Sequence, residues 1–404
     1  MGIIFESKNN NMRILLPTLL VFITLTHHVN AQSISEETKK QKIALFAPIY
    51  LDSVFKGDNY QYGKKFPRYA LQGIDFVQGS QLALDSFPIN LSYTELYVFD
   101  SKSDSVSIES LINNHQLDSM QLIIGAVKDN ELTLLANLAQ QKHVPFISAT
   151  YPNDGGITNN PFYIILNSTL KSHCEAIFSY LLQNQNNSKI IHVRQTGSQE
   201  DRVAGYINNI NKPDNKALLQ IKTMNLDSNL NIIKTALDST KKNYIICGSL
   251  DEDFATSIAS ILSSVSKKYD ITLIGMPNWD GFTAFGKNYK ESLKDFPVYY
   301  TAAYFNPKTD AYSKSLQDAY LQVYKGKPSE SAYKGFEIMY VFSRLLNLFP
   351  DEFMSHVNDH LINVFSDFNI MPIKLNKNSS IIDYYENKHL FFIKKVNGIA
   401  GKAW

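Results

Sequence analysis

Short apolar runs alternate with longer amphipathic segments over residues 42–305. The runs at 43–47 and 122–124 are short and wholly apolar, which is typical of strands buried on both faces. Between them, residues 69–87 repeat their apolar positions at nearly helical spacing. This alternation predicts βαβ units, and hence an α/β fold with parallel sheets.

The alternation occurs twice, which predicts two Rossmann-like lobes joined by a three-strand hinge. The segment 151–160, YPNDGGITNN, is rich in turn-forming residues and predicts a crossing between the lobes. Residues 276–281 predict a second crossing, and an apolar run at 298–305 predicts a strand that returns between the lobes. We expect lobe 1 to comprise residues 42–150, about 278–300 and 333–404, and lobe 2 to comprise residues 160–276 and about 304–325.

The C-terminal part carries two long helical patterns, at 311–324 and 333–349. A hairpin is expected beyond them, with strands at 383–385 and 389–396 around Asn387-Lys388.

The N-terminus has the pattern of a cleaved export signal. Arg13 precedes the apolar run 14–23, and Val29-Asn30-Ala31 offers small residues for cleavage before Gln32. The run is roughly half of the ~20 residues that a membrane span needs. We therefore expect a signal peptide at 1–31, with Met12 as the true start and residues 1–11 upstream of it. No cysteine follows the cleavage site, so we expect export to the periplasm of a Gram-negative bacterium without a lipid anchor.

The charge balance excludes whole classes of partner. Removal of residues 1–31 takes away Glu6, Lys8 and Arg13, and leaves 37 basic and 37 acidic residues. No extended basic block is present, which argues against nucleic acid or an anionic membrane as a partner. No later apolar run reaches spanning length, so the mature chain is not expected to span a membrane.

Patterns that carry catalysis are missing from the sequence. There is no G-x-S-x-G, no Walker A and no G-x-G-x-x-G motif, so we expect neither an enzyme nor a cofactor. His356 and His360 have the i, i+4 spacing of zinc ligands on a helix, but Val357 stands where a zinc protease needs Glu. We interpret them as a solvated helix face and predict no metal site. Cys174 and Cys247 are expected in the core, and whether they pair is left open.

Several side chains are candidates for holding a solute. Four aromatic residues fall where a parallel sheet presents its edge or where the chain crosses between lobes: Tyr50, Phe55, Trp279 and Tyr304. Arg194 ends a predicted strand and could bind a carboxylate, or pair with Glu200 or Asp201. Glu337 lies on a predicted helix and could face either the cleft or solvent.

The order of motifs resembles a known family. The segments that carry the resemblance are KIALFAPIYLDS (42–53), YALQGIDFVQGSQLALDSF (69–87), LIIGAVKDNELTLLANLAQQKHVPFISAT (122–150), NSTLKSHCEAIFSYL (167–181) and YLQVYKGKPSESAYKGFEIMY (320–340). Together they resemble the type I periplasmic binding proteins, and specifically the branched-chain amino-acid receptor-like group. The resemblance covers about residues 42–349.

The resemblance implies a solute site between the lobes. Carried over by position, the lobe 1 contacts are Ser53, Ala126, Ser148, Ala149 and Thr150. The corresponding loops of lobe 2 hold Glu200, Gly248, Ser249 and Trp279, and Tyr304 joins them as the aromatic residue of the returning strand. Amino-acid-binding members typically have a hydroxyl-rich loop after the third strand. Here that loop is Val127-Lys128-Asp129-Asn130, so an ordinary branched-chain amino acid is not the expected ligand.

The sequence thus predicts an exported solute-binding protein that closes two lobes around a small polar ligand, for uptake through an ABC-type permease or for sensing. An amino acid or a related compound is the expected ligand class. The alternative is a degenerate binding fold that acts as an envelope interaction or structural module and holds no solute.

Overall fold

The computed structural model describes residues 3–4, 40–87, 94–213, 215–360, 362–376 and 378–403. The predicted signal run and its cleavage site lie outside these residues. Within them, strands and helices alternate as expected, beginning with the elements of the first lobe. In chain order these are the strands β1 Ile3–Ile4, β2 Gln41–Ala47, β3 Phe55–Lys56, β4 Asn59–Tyr60, β5 Thr94–Asp100, β6 Leu122–Gly125, β7 Phe146–Ser148 and β8 Tyr163–Ile165, and the helices α1 Leu51–Val54, α2 Arg68–Asp85, α3 Ile108–Asn113 and α4 Asp129–Lys142.

The second series has the same alternating character. It comprises the strands β9 Ser188–Arg194, β10 Ile221–Asn225, β11 Lys242–Cys247, β12 Ile271–Ile274 and β13 Val298–Ala302, the helices α5 Leu170–Asn184, α6 Ser198–Asn211, α7 Ile233–Ala236 and α8 Glu252–Ser263, and the 3₁₀ turns Leu230–Ile232, Pro277–Gly281, Thr283–Phe285 and Glu291–Leu293.

The remainder of the chain contributes elements to both lobes. It comprises the helices α9 Ala311–Tyr324, α10 Glu330–Leu348 and α11 Phe353–His356, and the strands β14 Ile370–Ile373, β15 Tyr384–Asn387, β16 Phe391–Val396 and β17 Ile399–Lys402.

Lobe 1 is built on a mainly parallel sheet with the strand order β1-β5-β2-β6-β7-β8-β15-β14. Its central strand β2 is buried on both faces. Ile43 and Leu45 pack against α2 and α10 on one side, and Ala44 and Phe46 pack toward α3 and α4 on the other. The two-residue period of a strand explains this division.

Helices α2 and α10 pack unusually closely over this sheet. A Cβ atom on Gly79 would lie 1.9 Å from the carbonyl oxygen of Ala332, and one on Gly335 would lie 2.0 Å from that of Phe76. The single Ser80 hydroxyl proton is shared between the carbonyls of Phe76 (2.9 Å) and Gly335 (3.1 Å). Only glycine permits the two backbones to approach this far.

Lobe 2 has its own mixed sheet, in the order β10-β9-β11-β12-β13-β16-β17. Strands β9 to β13 are parallel, and β16 and β17 add an antiparallel edge. Cys174 and Cys247 are free thiols inside this lobe's core, as expected for core residues. Burial raises the pKa of each to about 12. Among the described residues, no helix is long and apolar enough to cross a membrane.

The chain crosses between the lobes three times; the crossing expected at 298–305 lies near its predicted place, directly after β13, whereas those expected at 151–160 and 276–281 do not. The first lies between β8 and α5, because residues 151–160 stay in lobe 1. There, Asn160 donates to the carbonyl of Ala136 (2.8 Å), and β8 continues the lobe 1 sheet. The lobe 2 expected from residue 160 therefore begins after β8.

The second crossing follows β13 instead of residues 276–281. The latter form a 3₁₀ turn that packs within lobe 2, and β13 pairs there with β12 and β16. Consequently residues 298–300 belong to lobe 2, not to lobe 1. Helix α9, expected in lobe 2, packs on lobe 1, where the single Tyr320 hydroxyl proton is shared between Asp75 (3.0 Å) and Gln78 (2.5 Å) of α2.

The third crossing lies between β15 and β16, the two strands that were expected to form a hairpin. Strand β15 pairs with β8 in lobe 1, whereas β16 pairs with β13 in lobe 2. The segment around Lys388 is thus a bridge between two sheets, and β16 and β17 complete lobe 2.

One helical prediction was also wrong in detail. Helix α11 ends at His356, so His356 and His360 do not share a helix face. They pair with different carboxylates, Asp359 and Asp367.

Candidate functional site

Strands β8 and β15 of lobe 1 and β13 of lobe 2 each end at a crossing, so the carboxyl ends of the parallel strands lie on the side of each sheet where the lobes are joined. On the lobe 1 side, the carboxylate of Asp100 accepts hydrogen bonds from the backbone N–H groups of Ile49 (2.9 Å), Tyr50 (3.0 Å) and Leu51 (2.7 Å). This fixes the loop after β2. Ser53, which this loop was expected to present, lies exposed on α1.

The loops after β6 and β7 form the next part of this edge. Ala126 is partly buried, and its N–H donates to the carbonyl of Phe46 (2.8 Å). Ser148 and Ala149 are fully buried, so their side chains lie beneath the edge. Thr150 is partly exposed, and its carbonyl accepts a hydrogen bond from the Asn167 amide (2.6 Å). Of these four residues, Ala126 and Thr150 have side chains that remain accessible.

The lobe 2 edge is closed by contacts within that lobe. Ser249 is fully buried and donates to the Glu200 carboxylate (2.8 Å), which is also buried. Gly248 packs on His192, whose Nε2 would lie 2.3 Å from a Cβ at that position. Glu200 and Ser249 therefore bond to each other, and the Gly248 N–H donates to the Val193 carbonyl (2.9 Å), so all three residues are occupied within lobe 2.

Arg194 and Trp279 also make their polar contacts within lobe 2. The Arg194 guanidinium pairs with Asp201, the second of the two roles expected for it. Trp279 is fully buried, with Phe285 at 5.1 Å between ring centroids, and its indole N–H donates to the carbonyl of Ser249 (3.3 Å). The expectation that its ring faces a solute does not hold in this structure, because the ring packs tightly over Gly275.

A cavity of about 410 Å³ lies between the lobes beside the second crossing. Lobe 1 lines it with the first two turns of α10 and with Phe365 and Ser366, and lobe 2 lines it with Asp280, Ile393 and Ala400. Tyr304, on the crossing itself, forms part of the wall, and its hydroxyl donates to the Ala149 carbonyl (2.8 Å). Tyr304 thus connects the cavity to the predicted lobe 1 edge.

Charged groups of both signs line this cavity. The Lys334 ammonium lies 4.5 Å from the centroid of the Tyr304 ring, and no ion pair joins it to a carboxylate of the described residues. Burial lowers the pKa of Lys334. On the lobe 2 wall, Asp280 accepts a hydrogen bond from the Tyr300 hydroxyl (2.7 Å).

Glu337 faces the cavity, which settles the choice left open by the sequence. Its carboxylate accepts hydrogen bonds from the backbone N–H of Phe365 (2.9 Å), the backbone N–H of Ser366 and the Ser366 hydroxyl (3.1 Å). Burial nevertheless raises the pKa of Glu337 to about 7. Burial likewise raises the pKa of the neighbouring Tyr304 well above its usual range.

Sequence reasoning missed Lys334 and Asp280. Lys334 lies three residues before Glu337, one turn away on the same helix, so a single helical face carries both charges into the cavity. Asp280 was noted only as part of the loop containing Trp279. No local pattern indicated that α10 of lobe 1 would meet that loop of lobe 2.

Comparison with solved structures identifies the fold. A putative branched-chain amino-acid ABC transporter protein from Rhodospirillum rubrum is 11% identical, with a TM-score of 0.62 over 90% of this chain and 99% of that one. The fold is that of the type I periplasmic binding proteins. This confirms the two-lobed α/β architecture expected from the sequence.

Two further structures share it. A periplasmic ligand-binding protein of a branched-chain amino-acid ABC transporter from Burkholderia xenovorans is 11% identical, with a TM-score of 0.57 over 90% of this chain and 94% of that one. An ABC transporter substrate-binding protein from Desulfitobacterium hafniense, in complex with Leu, is 14% identical, with a TM-score of 0.51 over 90% of this chain and 99% of that one. No family model matches the sequence, and no curated protein matches it.

Proposed function

We propose that this chain is an exported, non-catalytic solute-binding protein that closes two lobes around a small polar ligand. The observation that carries the proposal is the interlobe cavity, whose volume of about 410 Å³ falls in the range usual for small-molecule sites. Both lobes contribute walls, so a solute bound there would stabilise their closed arrangement.

The charges of the cavity favour a ligand that carries charge itself. A partly buried ammonium without a carboxylate partner, such as that of Lys334, is stabilised by an anionic group. Asp280 on the facing lobe suits a positive or hydroxylated group. A small zwitterion, such as an amino acid or a related compound, satisfies both walls at once. Delivery to a membrane permease or to a sensor would follow closure.

The open cavity also argues against the alternative of a binding fold whose cleft is filled. Lys128, in the loop after β6, is exposed, and its ammonium lies 3.9 Å from the Asp129 carboxylate, so it does not fill this cavity. Ser53, Ala126, Thr150 and Tyr304 remain proposed solute contacts. Ser148 and Ala149 are buried at the lobe 1 edge, and Glu200, Gly248, Ser249 and Trp279 are buried at the lobe 2 edge.

A thermal-unfolding screen of amino acids, short peptides, sugars and cell-wall fragments tests the proposal. A ligand at 100 times its dissociation constant adds about 2.7 kcal/mol to the free energy of unfolding. We expect Lys334→Ala to weaken binding of a carboxylate ligand at least about tenfold, whereas Lys267→Ala, at an exposed position on lobe 2, leaves it unchanged. A folded protein that responds to no compound would refute solute binding.

A further inference from the structure

Residues 55–69 form an exposed projection at the lobe 1 end of the cleft. Strands β3 and β4 pair as a short antiparallel hairpin, and the chain then turns back toward α2. Within this projection, only Pro67 is buried and only Tyr60 is partly buried. We call it the aromatic hairpin, because it presents Phe55 (38% exposed), Tyr62 (42%), Phe66 (39%) and Tyr69 (44%) to solvent.

The exposed rings form one connected cluster. Tyr60 lies at its centre, with ring centroids 5.6 Å from Phe55, 6.2 Å from Tyr62 and 6.3 Å from Phe66. The Tyr62 and Tyr69 hydroxyls share a hydrogen bond (2.7 Å), and the Tyr60 hydroxyl donates to the Lys65 carbonyl (2.6 Å). The hydroxyls are therefore occupied within the cluster, and the apolar parts of the rings are left facing outward.

Cations surround the cluster. Residues 55–69 hold the four basic residues Lys56, Lys64, Lys65 and Arg68 and the single acid Asp58, a local net charge of +3. All four cations are exposed, and no ion pair joins them to an acid in the described part of the chain. The balanced charge of the whole chain does not reveal this local positive charge. The cations are also too widely spaced along the sequence to form an extended basic block.

The base of the hairpin is held firmly. Asp100 fixes the N-terminal end of α1, and Asp52 in α1 accepts hydrogen bonds from the backbone N–H groups of Asp104 (2.8 Å) and Ser105 (2.9 Å). The N–H of Gln61 donates to the Val54 carbonyl (3.0 Å). A cluster that is already ordered loses little side-chain entropy when it is buried against a partner.

We propose that the aromatic hairpin docks the protein on the surface of an anionic lipid bilayer. Phe55, Phe66 and the tyrosine rings would enter the headgroup region, where aromatic side chains are favoured, while the cations meet lipid phosphates. The exposed rings and the net positive charge together match an anionic lipid surface, which offers both an apolar interior and phosphate groups. Apolar and electrostatic contributions add, so binding is weak, reversible and dependent on both.

Vesicle sedimentation tests this with the chain from Gln32 onward, which removes the apolar run 14–23 and the two-residue edge strand β1 and retains the hydrophobic clusters of both lobes. We expect partition onto phosphatidylcholine–phosphatidylglycerol vesicles, little onto phosphatidylcholine alone, and loss of binding as salt rises. Phe55→Ser/Phe66→Ser and Lys64→Ala/Lys65→Ala should each lower the partition coefficient at least about tenfold.

Matched variants elsewhere keep the test specific. Leu321→Ser/Val323→Ser removes two apolar side chains that are each 56% exposed on α9, and Lys216→Ala/Lys267→Ala removes two exposed lysines of lobe 2. Both should bind vesicles as the unmodified chain does. Equal binding by all variants, or no preference for anionic vesicles, would overturn the proposal. So would sedimentation velocity showing a dimer that Phe55→Ser/Phe66→Ser dissociates, because the surface would then join two copies of the chain.

Discussion

The carboxylate of Glu386, on the last parallel strand of lobe 1, accepts a hydrogen bond from the backbone N–H of Thr169 at 2.7 Å. Thr169 caps α5, the first helix of lobe 2. Glu386 also accepts from the hydroxyls of Thr169 (2.8 Å) and Ser172 (2.7 Å), and it pairs with Lys388 at 3.0 Å. One buried carboxylate therefore ties the first crossing to the third.

Removing this carboxylate should weaken the hinge. We expect Glu386→Ala to lower the free energy of unfolding by about 3–5 kcal/mol, because the change leaves buried donors and the Lys388 ammonium without their main acceptor. Glu386→Gln should lose less, since its oxygen can still accept hydrogen bonds. Urea titration measures both. Glu291→Ala, which breaks a fully exposed pair with Lys294, should change stability little, and an equal loss there would contradict the argument.

The close packing of α2 on α10 gives a second expectation. Gly79→Ala should destabilise the protein by about 3 kcal/mol, because the added methyl group meets the backbone of Ala332 and the helices must separate. The same change at Gly205 in α6 meets no atom within 4 Å. There, alanine should raise stability by up to about 1 kcal/mol. The two variants should thus move the denaturation midpoint in opposite directions.

Glu337 makes stability depend on pH near neutrality. The folded-state pKa of about 7 exceeds the ordinary 4.5, so between these values the folded protein keeps a proton that the unfolded chain has lost. Stability should therefore fall as pH rises from about 4.5 to about 7, by about 3 kcal/mol in total. Urea titrations across this range should show that Glu337→Gln removes this part of the slope. Persistence of the slope in that variant would contradict the assignment, while Glu291→Gln should retain it.

His192 should give stability the opposite pH dependence, with a loss in acid. Burial lowers its pKa to about 4 from the ordinary 6.5, so the unfolded chain takes up a proton before the folded protein does. Stability should fall as pH drops from about 6.5 to about 4. His192→Leu should remove part of this acid sensitivity, and the rest should remain because burial also lowers the pKa of His173 to about 4. His115→Gln, at a side chain that is 78% exposed, serves as the control in acid-unfolding curves.

Local patterns in the sequence located the elements better than they located the lobes. Helix α9 spans residues 311–324 as expected, because Asp310 caps its start and Lys325 ends it in a left-handed conformation. The sheet that a strand joins depends on distant partners. Strands β15 and β16 look like a hairpin in sequence, yet β15 pairs with β8 and β16 with β13.

The candidate site was predictable to a similar degree. Ser148, Ser249 and Trp279 occupy the sheet edges that the sequence indicated, but their burial depends on packing against residues far along the chain. Tyr304 was found because it lies on a crossing. Lys334 was not, because its environment is created by loops from both lobes.

The three crossings have a consequence for biosynthesis. Lobe 1 obtains α10 and β15 only from residues 330–387, and lobe 2 completes its sheet with β16 and β17 at residues 391–402. Neither lobe can therefore complete its sheet until residues far along the chain have been synthesised. Such non-local pairing delays folding, which is compatible with passage of an unfolded chain directed by the predicted export signal.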